Sequence, residues 1–351
     1  MKLYDNELYL EDIGITASKD LPWAKLQGKS VLLSGATGLL GSFLTDVIME
    51  KNKTGLDCTV YALGRTEGKA AERFSKWWGD KHLVFIPYDI NKPFERDEIG
   101  TVDYVLHLAS NTHPMQYSTD PIGTITTNII GLQNMLEFAV NHDATRFAFT
   151  SSNEIYGENR GDTELFDESY CGYIDSNTLR AGYPESKRCG EALCQAYKRQ
   201  KGLDVVIPRF TRSYGPTLQK SDTKALSQFI KKGVDRENIV LKSAGNQFYS
   251  YTYMADAISG LLTILLKGES GEAYNIADEG SYITLKDLAQ VIADYAGTKV
   301  IFEVPDATEA AGYSKATKAL LDGSKLKKLG WQPGYDIKSG ISRTLDILKA
   351  V

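Results

Sequence analysis

A doubly wound α/β fold, a parallel sheet with helices on both faces and a smaller carboxyl-terminal lobe, is predicted by three features of the 351-residue sequence. From residue 30 onward short β-branched runs alternate with longer helical stretches, the order that builds parallel strands joined by crossover helices. A glycine-rich turn separates the first such run from the first long helix. After about residue 215 the strand-like runs become sparser and helical stretches take over.

Residues 1–28 precede the first strand, and their interspersed Tyr, Leu and Trp predict a packed arm. SVLLS is the first strand and LLGSFLTDVIMEK the helix behind it; CTVYAL and GKAAERFSKWW repeat the pattern. HLVFI, DYVLHLAS, RFAFTSS and DVVIPRF supply further strands, with PIGTITTNIIGLQNMLEFAVNH and PESKRCGEALCQAYKRQ as long helices. TKALSQFIKKG, MADAISGLLTILLK and TLKDLAQVIADYAG are assigned to the lobe, over the carboxyl ends of the strands. The chain exceeds the size at which single cores usually stop growing, so the expected division is an arm (1–28), a sheet domain (29–215) and a lobe (216–351), with chain exchange between the last two.

With 42% hydrophobic and 24% charged residues the composition is that of an ordinary soluble globular protein. A formal charge of −5 gives no general reason to expect a nucleic acid or an anionic membrane as partner. No apolar run approaches membrane-spanning length, and MKLYDNELYLEDIGITASKDLPW lacks the basic start and apolar core of a signal peptide. The four cysteines include no Cys-x-x-Cys pair and the four histidines no zinc-ligand spacing, so a reduced, cytoplasmic chain without a structural metal is expected.

The turn S-G-A-T-G-L-L-G places Gly35, Gly38 and Gly41 at three-residue intervals between a strand and a helix. Glycines there permit a tight turn, close approach of a pyrophosphate to backbone N–H groups, and close helix–sheet packing, while the helix amino end favours the anion. This Rossmann-like pattern predicts dinucleotide binding through Gly35, Thr37, Gly38, Leu39, Leu40 and Gly41. The second strand ends YALGRTEGK: Gly64 stands where an acid would bind the ribose of NAD, and Arg65 follows, which leans toward NADP. Asp89 and Ile90, after the third strand, are candidates for the adenine rim.

The segment GYPESK sets Tyr183 one helical turn ahead of Lys187, with Pro184 marking the first turn of the helix. Four other Tyr-x-x-x-Lys pairs exist, at Tyr88, Tyr197, Tyr282 and Tyr295, so spacing alone decides nothing. An ammonium beside a phenol lowers its pKa, and such a tyrosine can exchange a proton with a substrate hydroxyl as hydride moves to or from the cofactor.

In order along the chain, G-A-T-G-L-L-G, HLAS, FTSSNEIYG, Tyr183/Lys187, RFTRSYGP and DGSKLKKLGWQP resemble the extended short-chain dehydrogenase/reductase family of nucleotide-sugar enzymes, the NAD-dependent epimerases and dehydratases. The resemblance spans roughly residues 29–345, and the nearest pattern is that of the UDP-glucuronate decarboxylases. It implies that Ser152 binds the reacting oxygen, with Ser151 the neighbour one position away, that Tyr183 is the acid/base, and that Lys187 tunes it and contacts the ribose. It further implies Glu154 near the sugar, Leu108, Ala109 and Ser110 beside the cofactor together with Tyr183 and Lys187, and Asn111 and Asn153 toward the substrate. A homodimer through a four-helix bundle of the two long helices is implied as well.

The chain departs from the family in three places. Asn153 stands where the dehydratases carry an aspartic acid, and an amide cannot donate a proton in that way, which disfavours 4,6-dehydration. Arg212 stands where asparagine is usual and Tyr249 where a diphosphate-binding arginine is usual, so Arg212 either supplies the diphosphate's donors in place of Tyr249 or meets an acidic group on the sugar; Lys318 is a further phosphate candidate. The resulting expectation is an enzyme of epimerase/decarboxylase type acting on a nucleotide-diphosphate sugar through a transient 4-keto sugar, with NAD or NADP. The alternatives are an NADPH-dependent reductase of a nucleotide-linked keto-sugar or ketose and a non-catalytic dinucleotide-binding scaffold.

Overall fold

The computed structural model describes residues 2–94, 99–112, 114–303 and 317–351. Runs of Val, Leu, Ile and Phe form strands β1 (Ser30–Ser34), β2 (Thr59–Gly64), β3 (Leu83–Pro87), β4 (Tyr104–His107), β5 (Arg146–Phe149) and β7 (Val205–Phe210), and the serine pair β6 (Ser151–Ser152) follows β5. Helix α1 (Glu7–Ala17) precedes them; α2 (Leu39–Asn52) follows β1 and α3 (Glu67–Arg73) follows β2. Helices α4 (Pro114–Thr119) and α5 (Pro121–Asn141) cross from β4 to β5, and α6 (Gly182–Lys201) leads into β7. Then come β8 (Arg212–Tyr214), α7 (Ala225–Val234), β9 (Ile239–Leu241), β10 (Phe248–Tyr253), α8 (Met254–Lys267), β11 (Ala273–Ile276) and β12 (Tyr282–Thr284). The chain ends with α9 (Leu285–Ala296), β13 (Val300–Phe302), β14 (Lys318–Ala319), α10 (Ser324–Lys328) and α11 (Ile337–Lys349).

The large sheet runs β3-β2-β1-β4-β5-β7-β11, with β6 also on β7, and every pairing is parallel. Strand order reverses between β1 and β4, the switch point where an open parallel sheet leaves a crevice at its carboxyl end. Successive side chains alternate in face: Val31 and Leu33 join the core shared with α1, α2 and α8, while Leu32 joins the core shared with α5 and α6. Both faces are covered, which is why these strands read as continuous apolar runs.

The lobe is built on β10, which pairs antiparallel with β12 and parallel with β8 and β14. Strand β11, between two lobe elements in sequence, returns to the large sheet beside β7. The arm is held by two buried carboxylates. Asp46 on α2 accepts from the Tyr4 and Tyr9 hydroxyls at 2.6 and 2.5 Å and pairs with Arg73 at 2.6 Å. Asp12 on α1 accepts from Arg343 Nε at 2.6 Å and from the hydroxyls of Tyr335 and Tyr253 at 2.7 and 2.5 Å.

Strands β1 to β3, β5 and β7 lie within a residue or two of the sequence expectation, β4 stops three residues short of the expected Ser110, and β11 was not expected at all; α6 begins at Gly182, so Tyr183 is inside its first turn. The short strands β8, β12 and β14, of two or three residues, were not expected; runs so brief carry no readable alternation. Among the described residues no helix is long and apolar enough to cross a membrane.

Candidate active site

At the carboxyl end of β1 the chain turns through Gly35, whose φ of 71° belongs to the left-handed region. A Cβ there would lie 2.8 Å from the Ala109 nitrogen, and one on Gly41 only 2.3 Å from the Gly35 carbonyl oxygen. Gly38 caps α2, and the first bond of the helix runs from Ser42 N–H to the Gly38 carbonyl at 3.0 Å. The amides of Leu39, Leu40 and Gly41 come before that bond and are therefore available to an anion. This cradle, tight in backbone and rich in free donors, fits a dinucleotide pyrophosphate. His107 at the end of β4 ties the neighbouring strands through Nδ1 and Ser34 Oγ, 2.9 Å apart, and burial pushes its imidazole down to about 3.

A cavity of about 780 Å³ opens from this cradle. Gly35, Gly38, Leu39, Leu40, Gly41, Leu108 and Ser110 line one part of it, and Ser152, Asn153, Glu154, Tyr183 and Lys187 another. Strand β6 carries Ser151 and Ser152 to the sheet end, and the one-turn segment Asn153–Tyr156 follows at once. Ser152 Oγ accepts from the Glu154 amide at 3.2 Å. Ser151 Oγ is buried without a hydrogen-bond partner among the described residues.

Lys187 is buried, donates from Nζ to the Thr150 carbonyl at 2.8 Å, and lies over the Phe149 and Tyr183 rings at 4.9 and 5.9 Å. Burial pushes its amine down to about 7, against the pull of the Glu191 carboxylate. The Tyr183 phenol is pushed up, first by burial and then by the Glu154 carboxylate; hydrogen bonding to Ser152, the Arg180 charge and hydrogen bonding to Ser110 oppose this. The expected lowering of the phenol by Lys187 is therefore not the dominant effect. Burial raises the phenol and, at the same time, pushes the Lys187 amine toward its neutral form.

Two residues on the reacting wall escaped sequence reasoning. Arg180 Nη2 donates to both Glu154 oxygens at 2.8 and 2.7 Å. Tyr117 stacks on Tyr183 with ring centroids 5.0 Å apart and planes at 26°. Arg180 stood three positions before Tyr183 at a helix entrance, which was a usable signal; Tyr117 was one tyrosine of 20.

On the lobe side, Arg212 on β8 lies 3.5 Å over the Tyr249 ring of β10, and both line the cavity. Arg212 Nη1 is buried with no hydrogen-bond partner among the described residues. Lys224, Lys232 and Lys242 line the same side, also unanticipated. Lys318, expected at a phosphate, instead pairs with Glu164: its β14 register opposite Phe248 sets it away from the cavity lining. Thr37, Ala109 and Asn111 are half-buried near the cradle and do not line the cavity. Asp89 accepts from the Asn91 amide at 3.1 Å, Ile90 packs toward Gly131 of α5, and Arg65 is exposed just beyond β2; none of the three lines the cavity.

The profile of the NAD dependent epimerase/dehydratase family matches residues 31–277. The chain belongs to that family. It is accordingly an NAD-dependent enzyme of the nucleotide-sugar-modifying kind. UDP-glucuronic acid decarboxylase 3 of Arabidopsis thaliana is 31% identical over 312 residues, covering 89% of this chain and 86% of that protein. UDP-glucuronic acid decarboxylase 1 of Xenopus tropicalis is 29% identical over 90% of this chain and 71% of its own length. Among solved structures, UDP-glucose 4-epimerase of Thermotoga maritima superposes with a TM-score of 0.78 at 21% identity, covering 92% of this chain and 99% of that one. The dTDP-glucose 4,6-dehydratase of Streptomyces venezuelae, with NAD bound, gives a TM-score of 0.78 at 23% identity, covering 92% and 97%. At these identities the structural likeness establishes the fold of this epimerase/dehydratase chain.

Proposed function

We propose that this epimerase/dehydratase-family chain is a decarboxylase-type enzyme acting on a nucleotide-diphosphate uronic acid through a transient 4-keto sugar. The observation that carries the reading is the convergence of Ser152, Glu154 and Tyr183 on one cavity wall, beside an amide at Asn153 where a dehydratase needs an acid. The naming of the relatives at about 30% identity as UDP-glucuronic acid decarboxylases supports the same choice.

The glycine cradle would hold the dinucleotide, which when bound supplies the hydride acceptor and later the donor. Tyr183 takes the proton from the sugar hydroxyl and Ser152 hydrogen-bonds the same oxygen. Lys187 holds a basic amine beneath the phenol, 5.9 Å from the Tyr183 ring, where it can orient Tyr183 and reach the ribose. A carbonyl next to the carbon bearing the carboxylate accepts the electron pair of the breaking carbon–carbon bond, carbon dioxide leaves, and that carbon is reprotonated. Arg212 is the proposed diphosphate contact, stacked on Tyr249 and extended by the lysines of the same wall.

Exposed Arg65, directly after Gly64, favours NADP and with it a second reading as a net reductase. NAD named in the solved relatives favours the closed cycle. Mass spectrometry of the small molecules released on denaturation decides between them. Retained NAD together with release of carbon dioxide from UDP-glucuronate is the expected result. Preferential binding of added NADPH, with reduction of a nucleotide-linked ketone, would replace the proposal. Arg212→Ala is expected to weaken nucleotide-sugar binding at least tenfold, about the size of one charge-assisted hydrogen bond; unchanged affinity would remove Arg212 from the diphosphate site.

The active form is proposed to be a cytoplasmic homodimer. Free thiols at all four cysteines suit a reducing compartment, and Ile122, Ile125 and Ile130 expose apolar surface on α5. Light scattering after gel filtration tests the dimer, and a monomer at working concentration would reject it.

A further inference from the structure

Arg180 lies in the single turn Leu179–Ala181 that runs into α6, and it lines the cavity with Tyr183 and Glu154. One nitrogen, Nη2, reaches both Glu154 oxygens, while Cζ stands 4.8 Å from the centre of the Tyr117 ring. Tyr117 in turn stacks on Tyr183. The guanidinium thus touches a carboxylate on one side and, through one aromatic ring, the proposed proton carrier on the other.

An exposed ion pair would contribute little, but these side chains are each only 23% exposed. Nε and Nη1 of Arg180 are buried and have no hydrogen-bond partner among the described residues. A guanidinium kept short of hydrogen bonds is not there to saturate itself, and such a group calls for an explanation. The two charges also act on the Tyr183 phenol with opposite sign, Glu154 raising its pKa and Arg180 lowering it.

We propose that Arg180 is a positioning residue for proton transfer: it fixes the Glu154 carboxylate beside the reacting end of the cavity, holds the Tyr117–Tyr183 stack, and offsets the carboxylate's field at the phenol. The inference rests on Tyr183 as the proton carrier.

The test compares Arg180→Gln, Arg180→Lys, Glu154→Gln and the double variant Arg180→Gln/Glu154→Gln, all loaded with dinucleotide. Single-turnover sugar oxidation, which requires the phenolate, is followed against pH. Its rising limb moves to higher pH in Arg180→Gln, to lower pH in Glu154→Gln, and to an intermediate position in the double variant, while Arg180→Lys stays near wild type. Turnover of Arg180→Gln falls on the order of tenfold, one charge-assisted hydrogen bond's worth, with dinucleotide affinity unchanged. A second readout needs no substrate: ring-current shifts of isotope-labelled tyrosine report the Tyr117–Tyr183 stack, and they change in Arg180→Gln but not in Arg180→Lys.

A limb that stays in place in Arg180→Gln, or moves the same way in both single variants, overturns the proposal, as do unchanged ring shifts. If Arg180→Gln fails to fold, the opposite displacement in Glu154→Gln and the retained limb of Arg180→Lys still decide it. Full turnover in Tyr183→Phe would defeat the underlying reading separately, leaving the ring shifts to judge whether Arg180 holds the stack.

Discussion

Lys187 has no solvent to share its charge, so its protonation is tied to folding. Its folded pKa is about 7 against 10.5 in the unfolded chain. Between those values the unfolded chain holds one more proton than the folded one, so this group makes stability rise with pH across the window and adds no slope below it. Lys187→Met lacks that titration. Denaturant unfolding at several pH values is therefore expected to show wild type gaining on the variant from pH 7 to 10.5; a flat difference would mean that the amine is not buried as described. Tyr183→Phe is expected to lose turnover by at least a hundredfold and to keep its dinucleotide affinity, measured by single-turnover kinetics and equilibrium binding. Both residues were legible because Pro184 marks a helix entrance beside them and the motifs on either side single this pair out of five with the same spacing. Arg180 and Tyr117 were not, since their meaning comes from a carboxylate and a ring that only the folded chain brings near. Lys318 shows the converse: a basic residue at a suggestive position was claimed by Glu164.

At the level of elements, the β1 turn and α2 act as one unit. A methyl group on Gly41 meets the Gly35 carbonyl oxygen at 2.3 Å, whereas one on Gly38 meets it at 3.2 Å. Gly41→Ala is expected to cost about 1–3 kcal/mol of stability and to weaken dinucleotide binding more than Gly38→Ala does. Calorimetric binding with denaturant unfolding checks this order, and equal losses would point to a looser turn. The turn was readable because three glycines between a strand and a helix have few other uses. The partner strands of the lobe were not, because β8, β12 and β14 take their identity from pairing with β10. The same holds for β11, whose seat beside β7 is a matter of register between distant segments.

Across the whole molecule, distant parts of the chain meet at fully buried Asp12, which binds Arg343, Tyr253 and Tyr335. Removing the cation strands a buried carboxylate, so Arg343→Met is expected to cost about 3–5 kcal/mol, and Asp12→Asn/Arg343→Met to recover part of it, measured by denaturant unfolding. A loss below about 1 kcal/mol would show that Asp12 is satisfied by its tyrosines alone. None of this network was visible beforehand: the arm's aromatic residues announced packing but not its partners. The same connection sets an order of events on the ribosome. Helix α1 is made well before α11, which supplies the guanidinium that balances Asp12, and the β7 edge of the main sheet stays open until β11 emerges. The nascent chain therefore carries an unmatched acid from α1 until α11 is made and a bare strand edge from β7 until β11 is made, two intervals in which protection during translation bears on yield alongside final stability.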